Sequence, residues 1–303
     1  MAVVSVDPDL APNELRHALY GGDLVVLTRL AAVEDLVEYT RAELCRLFAP
    51  HDPRHAHRFF DPEQVAHMLG SWKPRFIHAE RSKQLTTAVV REAGLAVEHT
   101  YYDLPKPRTA FPAGHLTAGM AFAFPWHRDV WYSAPRQQIN WWLPVYDVRP
   151  DNAMGFDLAS FDRAVANTSG AFDYYRNNVQ RSSTVTAVTT ERQVRPGAVD
   201  HRPAQEVVVL PRPGEVLLFS GAQLHRSIPN TSELSRYSVD FRTVDARDLA
   251  QDRGAPTLDV ACTGTAIRDF HSVADGSGFD EGTVTAWFGA PPADAVLVFE
   301  PAT

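Results

Sequence analysis

From about residue 97 onward the chain is written in short β-rich runs, and this punctuation limits its fold more than any other feature. The runs are "VEHTYYDL", "AGMAFAF", "QQINWWLPVYDV", "STVTAVTTERQV", "QEVVVL", "EVLLFS" and "RYSVDFRTV". Gly, Pro and Asn separate them, as in "PRPG" at 211–214, where Pro and Gly each suit a turn position. Many short strands broken by turns predict a sandwich or barrel, including a jelly roll. The polar text at 157–184, "DLASFDRAVANTSGAFDYYRNNVQRSST", interrupts the strands and reads as an insertion over one sheet edge.

The first 96 residues differ. "NELRHALY" (13–20) predicts a short helix with Asn13 as its cap, before a Gly-Gly break. "DLVVLTRL" (23–30) reads as a strand, and "VEDLVEYTRAELCRLF" (33–48) repeats apolar residues at helical spacing. Further helices are expected at 61–70 and 80–93, after which Pro105, Pro107 and Pro112 break the pattern. There is no internal repeat and no clear linker. The expected organisation is one domain over 1–303: α/β support at 1–96, a jelly-roll core at 97–245 and a C-terminal extension at 246–303.

Composition narrows the function. No run of about 20 apolar residues exists to span a bilayer, and "MAVVSVDPDLAPNELRH" lacks the basic-then-apolar pattern of a secretory leader. Cys45 and Cys262 are the only cysteines and have no CxxC spacing, so neither a disulfide framework nor a thiolate zinc site is expected. These features predict a cytoplasmic protein. With a net charge of -8 and no basic block, nucleic acid is not an expected partner. A small molecule is expected instead; the acidity on its own serves solubility, and it could also favour a cationic substrate through the overall field.

The chemistry concentrates in "PWHRDVWY" (125–132) and "QLHRSIPNTSELSRYSVDFR" (223–242). On extended backbone, residues i and i+2 share a face, so His127 and Asp129 can aim at one point while Arg128 turns away. Two histidines and one carboxylate form the three-ligand face of non-heme Fe(II) oxygenases, and His225 is the best source of the second histidine. Eleven residues later Arg236 opens a strand, where its guanidinium could grip a carboxylate in a bidentate pair, with Ser227 as a further donor. Arg242 and Ser238 are rivals for that carboxylate. The histidines of "HDPRHAHRFFDPEQVAH" (51, 55, 57 and 67) fit no standard zinc spacing and read as a solvated loop. Trp131 and Tyr132 follow the ligands directly, and each could face substrate or pack in the core.

Across roughly 97–245 the sequence resembles the Fe(II)/2-oxoglutarate-dependent oxygenases, in particular their phytanoyl-CoA dioxygenase-like branch. The matching text is "HRD", "LHRS" with its approach "PGEVLLFSGAQLH", and "SRYSVDFR". The resemblance implies a double-stranded β-helix (a cupin-like jelly roll), Fe(II) on His127, Asp129 and His225, and 2-oxoglutarate and O2 as cosubstrates. It also implies that Arg236 and Ser227 hold the distal carboxylate of 2-oxoglutarate, in a pocket lined by Trp142 with Asn140 on the same face. Members of the family couple decarboxylation of 2-oxoglutarate to attack on a C–H bond, usually hydroxylating and sometimes closing rings. Halogenating members replace the carboxylate ligand with a small residue, so Asp129 disfavours that outcome. The Ala-, Val- and Arg-rich text fits a GC-rich bacterial genome, where relatives tailor antibiotics, and an aminoglycoside or oligosaccharide orthoester is the expected product class. The alternatives are a cupin-like metal-dependent isomerase and a non-catalytic ligand-binding β-barrel.

Overall fold

The helices of the N-terminal third assemble because each carries one apolar stripe. The computed structural model describes residues 3–6, 11–184, 186–189 and 195–298. It forms α1 (Pro12–Tyr20), α2 (Ala31–Leu47), α3 (Pro62–His78) and α4 (Glu80–Glu92). Asp61 and Gln64 close a reciprocal capping box at the start of α3. Asn13 does not cap α1, which starts one residue earlier at Pro12; its side chain instead accepts from Arg16 Nη2 at 2.6 Å. No helix of the described residues is long and apolar enough to cross a membrane.

Eleven strands follow chain order as β1 (Val3–Val6), β2 (Leu24–Leu27), β3 (Thr100–Asp103), β4 (Lys106–Ala110), β5 (Ile139–Pro144) and β6 (Met154–Phe156), then β7 (Val207–Val209), β8 (Val216–Ser220), β9 (His225–Ser227), β10 (Arg236–Asp245) and β11 (Phe270–Ser272). The large sheet runs β1-β2-β8-β5-β10-β3-β11, with β4 also on β10, and all its pairs except β1–β2 are antiparallel. A small antiparallel sheet runs β7-β6-β9, and a lone bridge from His127 to His225 extends it by one position.

Side-chain alternation sorts the large sheet into two faces. Val25, Leu27, Ile139, Trp141, Leu143, Val216, Leu218, Val239 and Phe241 pack against α1–α4 in the main core. Their neighbours Leu24, Val26, Trp142, Leu217 and Phe219 meet Met154, Phe156 and Val209 of the small sheet. The two sheets thus pack face to face, with helices covering the outside of the larger one.

Three expectations need correction. Residues 118–124 are not a strand: Gly119 takes a positive φ of 51° and starts a single 3-10 turn, Gly119–Ala121. Of the run at 183–194, the first two residues end α5 (Tyr174–Thr184) and 186–189 form turns and bends, while 185 and 190–194 lie outside the described residues. Conversely, β4 forms despite Pro107, opposite Val239. Since β4 pairs only with β10, its other edge needs no ladder donor there, which is where proline is tolerated. The interruption at 157–184 carries two 3-10 turns and α5, and residues beyond 245 supply α6 (Ala246–Ala250), β11 and α7 (Glu281–Phe288).

Candidate metal centre and cosubstrate pocket

His127 and His225 meet as a reciprocal backbone pair, each amide donating to the other's carbonyl at 2.9 Å. That single bridge joins two distant stretches and sets the imidazole rings 4.2 Å apart. Arg128 is extended, so Asp129 falls on the same side as His127, and a 3-10 turn, Asp129–Tyr132, begins immediately. The shared face therefore needs one extended residue, not a full strand. His127 Nε2 lies 3.4 Å and His225 Nε2 3.8 Å from Asp129 Oδ1.

Both rings are oriented in the same way. His127 Nδ1 lies 2.8 Å from the Pro125 carbonyl, and His225 Nδ1 lies 2.9 Å from the Gln223 carbonyl. A carbonyl can only accept, so each Nδ1 carries the proton and each Nε2 keeps its lone pair for a cation. Asp129 is fixed on its other oxygen: Gln138 Nε2 donates to Oδ2 at 3.0 Å, and Arg242 Nε stands 3.7 Å away. Gln138 also donates to Asn140 Oδ1 at 2.8 Å. Gly221 permits this packing, because a Cβ there would press on Gln138 at 3.3 Å.

Electrostatics agree with the geometry. Burial opposes the Asp129 charge, yet the polar surroundings, the adjoining His127 ring and the Arg242 guanidinium foremost, outweigh it, and its pKa falls well below the carboxylate range. Burial, reinforced by His127, lowers the His225 pKa to about 3 and keeps that ring neutral. The donor set fits a divalent ion. Bonds of about 2.0–2.2 Å at right angles put neighbouring donor atoms roughly 3 Å apart, and the three donor atoms here lie within 4.8 Å of one another. Among the described residues no other group of His, Cys, Asp and Glu converges in this way.

The three residues open onto a cavity of about 1340 Å³, which Ser227, Arg236, Trp142, Asn140 and Tyr132 also line. Arg236 is 6% exposed; its Nε has no hydrogen-bond partner, and its Cζ lies 5.6 Å from the centre of the Trp142 ring. Burial lowers its pKa to about 10, above neutrality, so it stays a cation. Arg242, the rival, is already engaged: it pairs with Asp103 at 3.2 Å and Asp240 at 3.4 Å besides Asp129. Ser238, the other rival, is buried with an unpartnered Oγ and is absent from the cavity wall.

Trp131 is a correction. It is fully buried, packs with Val130, Phe161 and Leu224, and donates from Nε1 to Asp259 at 2.8 Å. The turn after Asp129 sends it inward, while Tyr132 faces the cavity. Arg128 does turn away from the centre, as expected, and becomes a buried tie. It donates to the carbonyls of Ala222, Ser160 (2.6 Å) and Arg163 (2.8 Å) and pairs with Asp259 at 3.2 Å. Sequence reading missed Gln138, although it lies two residues before Asn140 and so shares its face. It also missed Lys73, Lys106, Arg108 and Asp240, which line the same cavity.

No family model matches the chain, and no curated protein matches it. Among solved structures, EvdO2 from Micromonospora carbonacea var. aurantiaca, also solved with 2-oxoglutarate, is 14% identical; the match covers 78% of this chain and 92% of that one, with a TM-score of 0.47. The nickel complex of the non-heme monooxygenase ThoJ is 14% identical over 91% of this chain and 95% of that one, with a TM-score of 0.40. SnoK, a non-heme alpha-ketoglutarate-dependent carbocyclase from nogalamycin biosynthesis, is 15% identical over 85% and 97%, with a TM-score of 0.41.

Proposed function

We propose that this chain is a non-heme Fe(II)/2-oxoglutarate-dependent oxygenase of the phytanoyl-CoA dioxygenase-like type. In this reading His127, Asp129 and His225 hold the iron, and Arg236 with Ser227 holds the distal carboxylate of 2-oxoglutarate. One observation carries it: His127 Nε2, Asp129 Oδ1 and His225 Nε2 converge in the same cavity that holds a buried arginine with no carboxylate partner. A buried, uncompensated cation is costly, and a dianionic keto acid held by that guanidinium would offset the cost. A cupin-like isomerase would have no use for Arg236.

The chain path supports a double-stranded β-helix. Successive segments alternate between the sheets: β4 large, His127 small, β5 large, β6 and β7 small, β8 large, β9 small, β10 large. When bound, iron, 2-oxoglutarate and O2 supply oxidative decarboxylation and attack on a substrate C–H bond. The protein's part is positioning. Gln138 clamps Asp129 so that one oxygen faces the ion, and the Pro125 and Gln223 carbonyls fix the ring tautomers. Arg236 orients the keto acid along Trp142, with Asn140 on the same wall. Phe124, Tyr132 and Phe172 form an apolar wall beside His127 that excludes water.

The retained carboxylate ligand fits hydroxylation or oxidative ring closure. A cavity of 1340 Å³ exceeds the roughly 300–1,000 Å³ of ordinary ligand pockets. It leaves room beyond 2-oxoglutarate for a substrate of natural-product size, and tailoring of such products is the setting we assign. The test is succinate release from 2-oxoglutarate with Fe(II), O2 and ascorbate. Metal-dependent 2-oxoglutarate binding and turnover are expected; their absence would overturn the oxygenase assignment.

A further inference from the structure

The cavity is charged against the rest of the molecule. The chain carries a net charge of -8, yet eight basic and six acidic side chains line the cavity, a surplus of two positive charges. Ferrous iron and 2-oxoglutarate carry equal and opposite charges, so loading both leaves that surplus unchanged. Most of the cations beside the metal have partners. Arg108 makes a two-point pair with Asp240 at 2.9 and 3.1 Å, Arg242 shares Asp103, Asp129 and Asp240, and Lys106 pairs with Asp103.

Lys73 is different. It projects from α3 and is 2% exposed, and its ammonium donates to the Met120 carbonyl with no carboxylate in ion-pair range among the described residues. Burial pulls its pKa well below the ordinary lysine value, with Arg108 and Arg236 adding to the effect against Asp240. An anion brought to it would restore the charged form.

Lys73 and Arg236 make different contacts. Arg236 leans over Trp142 on β5, whereas Lys73 reaches the turn Gly119–Ala121 on the stretch that leads to His127. Between Met120 and His127 that stretch carries Phe122 and Phe124, with rings 4.9 Å apart, and Phe124 stacks on the His127 ring at 5.0 Å. A cation at one end, two aromatic rings and a metal ligand at the other define a ruler. It would hold an acid group at Lys73 and lay an apolar body toward the metal.

Taking the oxygenase assignment as given, we infer that the prime substrate is an organic acid with an apolar, ring-bearing body, anchored through its acid group by Lys73. This inference differs from the expectation of a cationic metabolite, because an aminoglycoside would meet a wall on which basic side chains outnumber acidic ones.

Three probes with one body and different heads test it: 3-phenylpropanoate, 3-phenylpropanol and 3-phenylpropylamine, titrated into protein saturated with Zn(II) and 2-oxoglutarate. The acid should bind at least about tenfold more tightly than the alcohol, and the amine more weakly than either. Lys73→Met should erase the acid's advantage, Lys73→Arg should keep most of it, and both should retain 2-oxoglutarate affinity within about twofold. Equal binding of the three probes, no acid binding at millimolar concentration, or an unchanged acid preference in Lys73→Met would overturn the inference. So would a loss in that variant of 2-oxoglutarate affinity alone, which would move Lys73 to the cosubstrate. Metal-dependent 2-oxoglutarate binding is read first on the unaltered protein. Its absence counts against the oxygenase assignment, and the acid preference is then read without the cosubstrate.

Discussion

On one face of β10, Tyr237, Val239 and Phe241 enter the core beneath the helices, each at most 2% exposed. On the other, the alternate residues are Arg236, Ser238, Asp240 and Arg242. One ten-residue strand thus carries the most apolar and the most charged interior surfaces of the chain, separated only by side-chain parity. The first face supplies the hydrophobic stabilisation that the second consumes, because buried charge costs free energy unless it is paired. Within the charged face the same division recurs: Asp240 and Arg242 neutralise each other and their neighbours, whereas Arg236 Nε has no hydrogen-bond partner.

Substitutions on the two faces should therefore separate folding from binding. The largest effect is expected at the metal ligands. His225→Ala should remove metal-dependent 2-oxoglutarate turnover altogether while circular dichroism and the melting temperature of the metal-free protein change little. A large drop in melting temperature would mean that the metal site and the fold are not separable. Next comes the apolar face, where Phe241→Ala should cost about 3–5 kcal/mol in denaturant unfolding and leave metal affinity intact in the folded fraction. Arg242→Ala should resemble it, at about 3–5 kcal/mol, because it strips partners from buried carboxylates. Arg236→Ala should instead leave stability nearly unchanged and raise the KM for 2-oxoglutarate by roughly 10- to 150-fold, the equivalent of about 1.5–3 kcal/mol for a charged hydrogen bond. If Arg242→Ala raises that KM and Arg236→Ala does not, the two arginines have been assigned the wrong way round. The smallest effect belongs to Gln138→Leu, which should weaken Zn(II) affinity by about 10- to 100-fold while 2-oxoglutarate binding at saturating metal stays constant.

What could be read in the text was whatever depends on local pattern. The β-runs that became β5, β8 and β10 alternate or are uniformly apolar, and their boundaries moved by only a few residues. His127 and Asp129 could be placed on one side because they lie two residues apart on extended backbone, as the bridge to His225 and the cavity they share bear out. Partners set by folding were invisible. Nothing near Lys73 in sequence places it on the cavity wall; α3 does so only by packing on β4 and the Gly119–Ala121 turn. Arg236 and Arg242 could not be told apart by parity, since both share one face; what separates them is Asp103, more than a hundred residues away, which pairs with Arg242. Trp131 was misjudged for a similar reason. It lies two residues after Asp129 in sequence, while its hydrogen-bond partner, Asp259, is more than a hundred residues further on.

Arg128 gives that distant partner a wider meaning. Sitting between His127 and Asp129, it knots together the turn before His225, the stretch at 160–163 and Asp259. The peripheral segments are therefore guy-ropes of the centre. A chain cut short ahead of Asp259 would keep His127, Asp129 and His225 and still lose the carboxylate that anchors the residue between the first two.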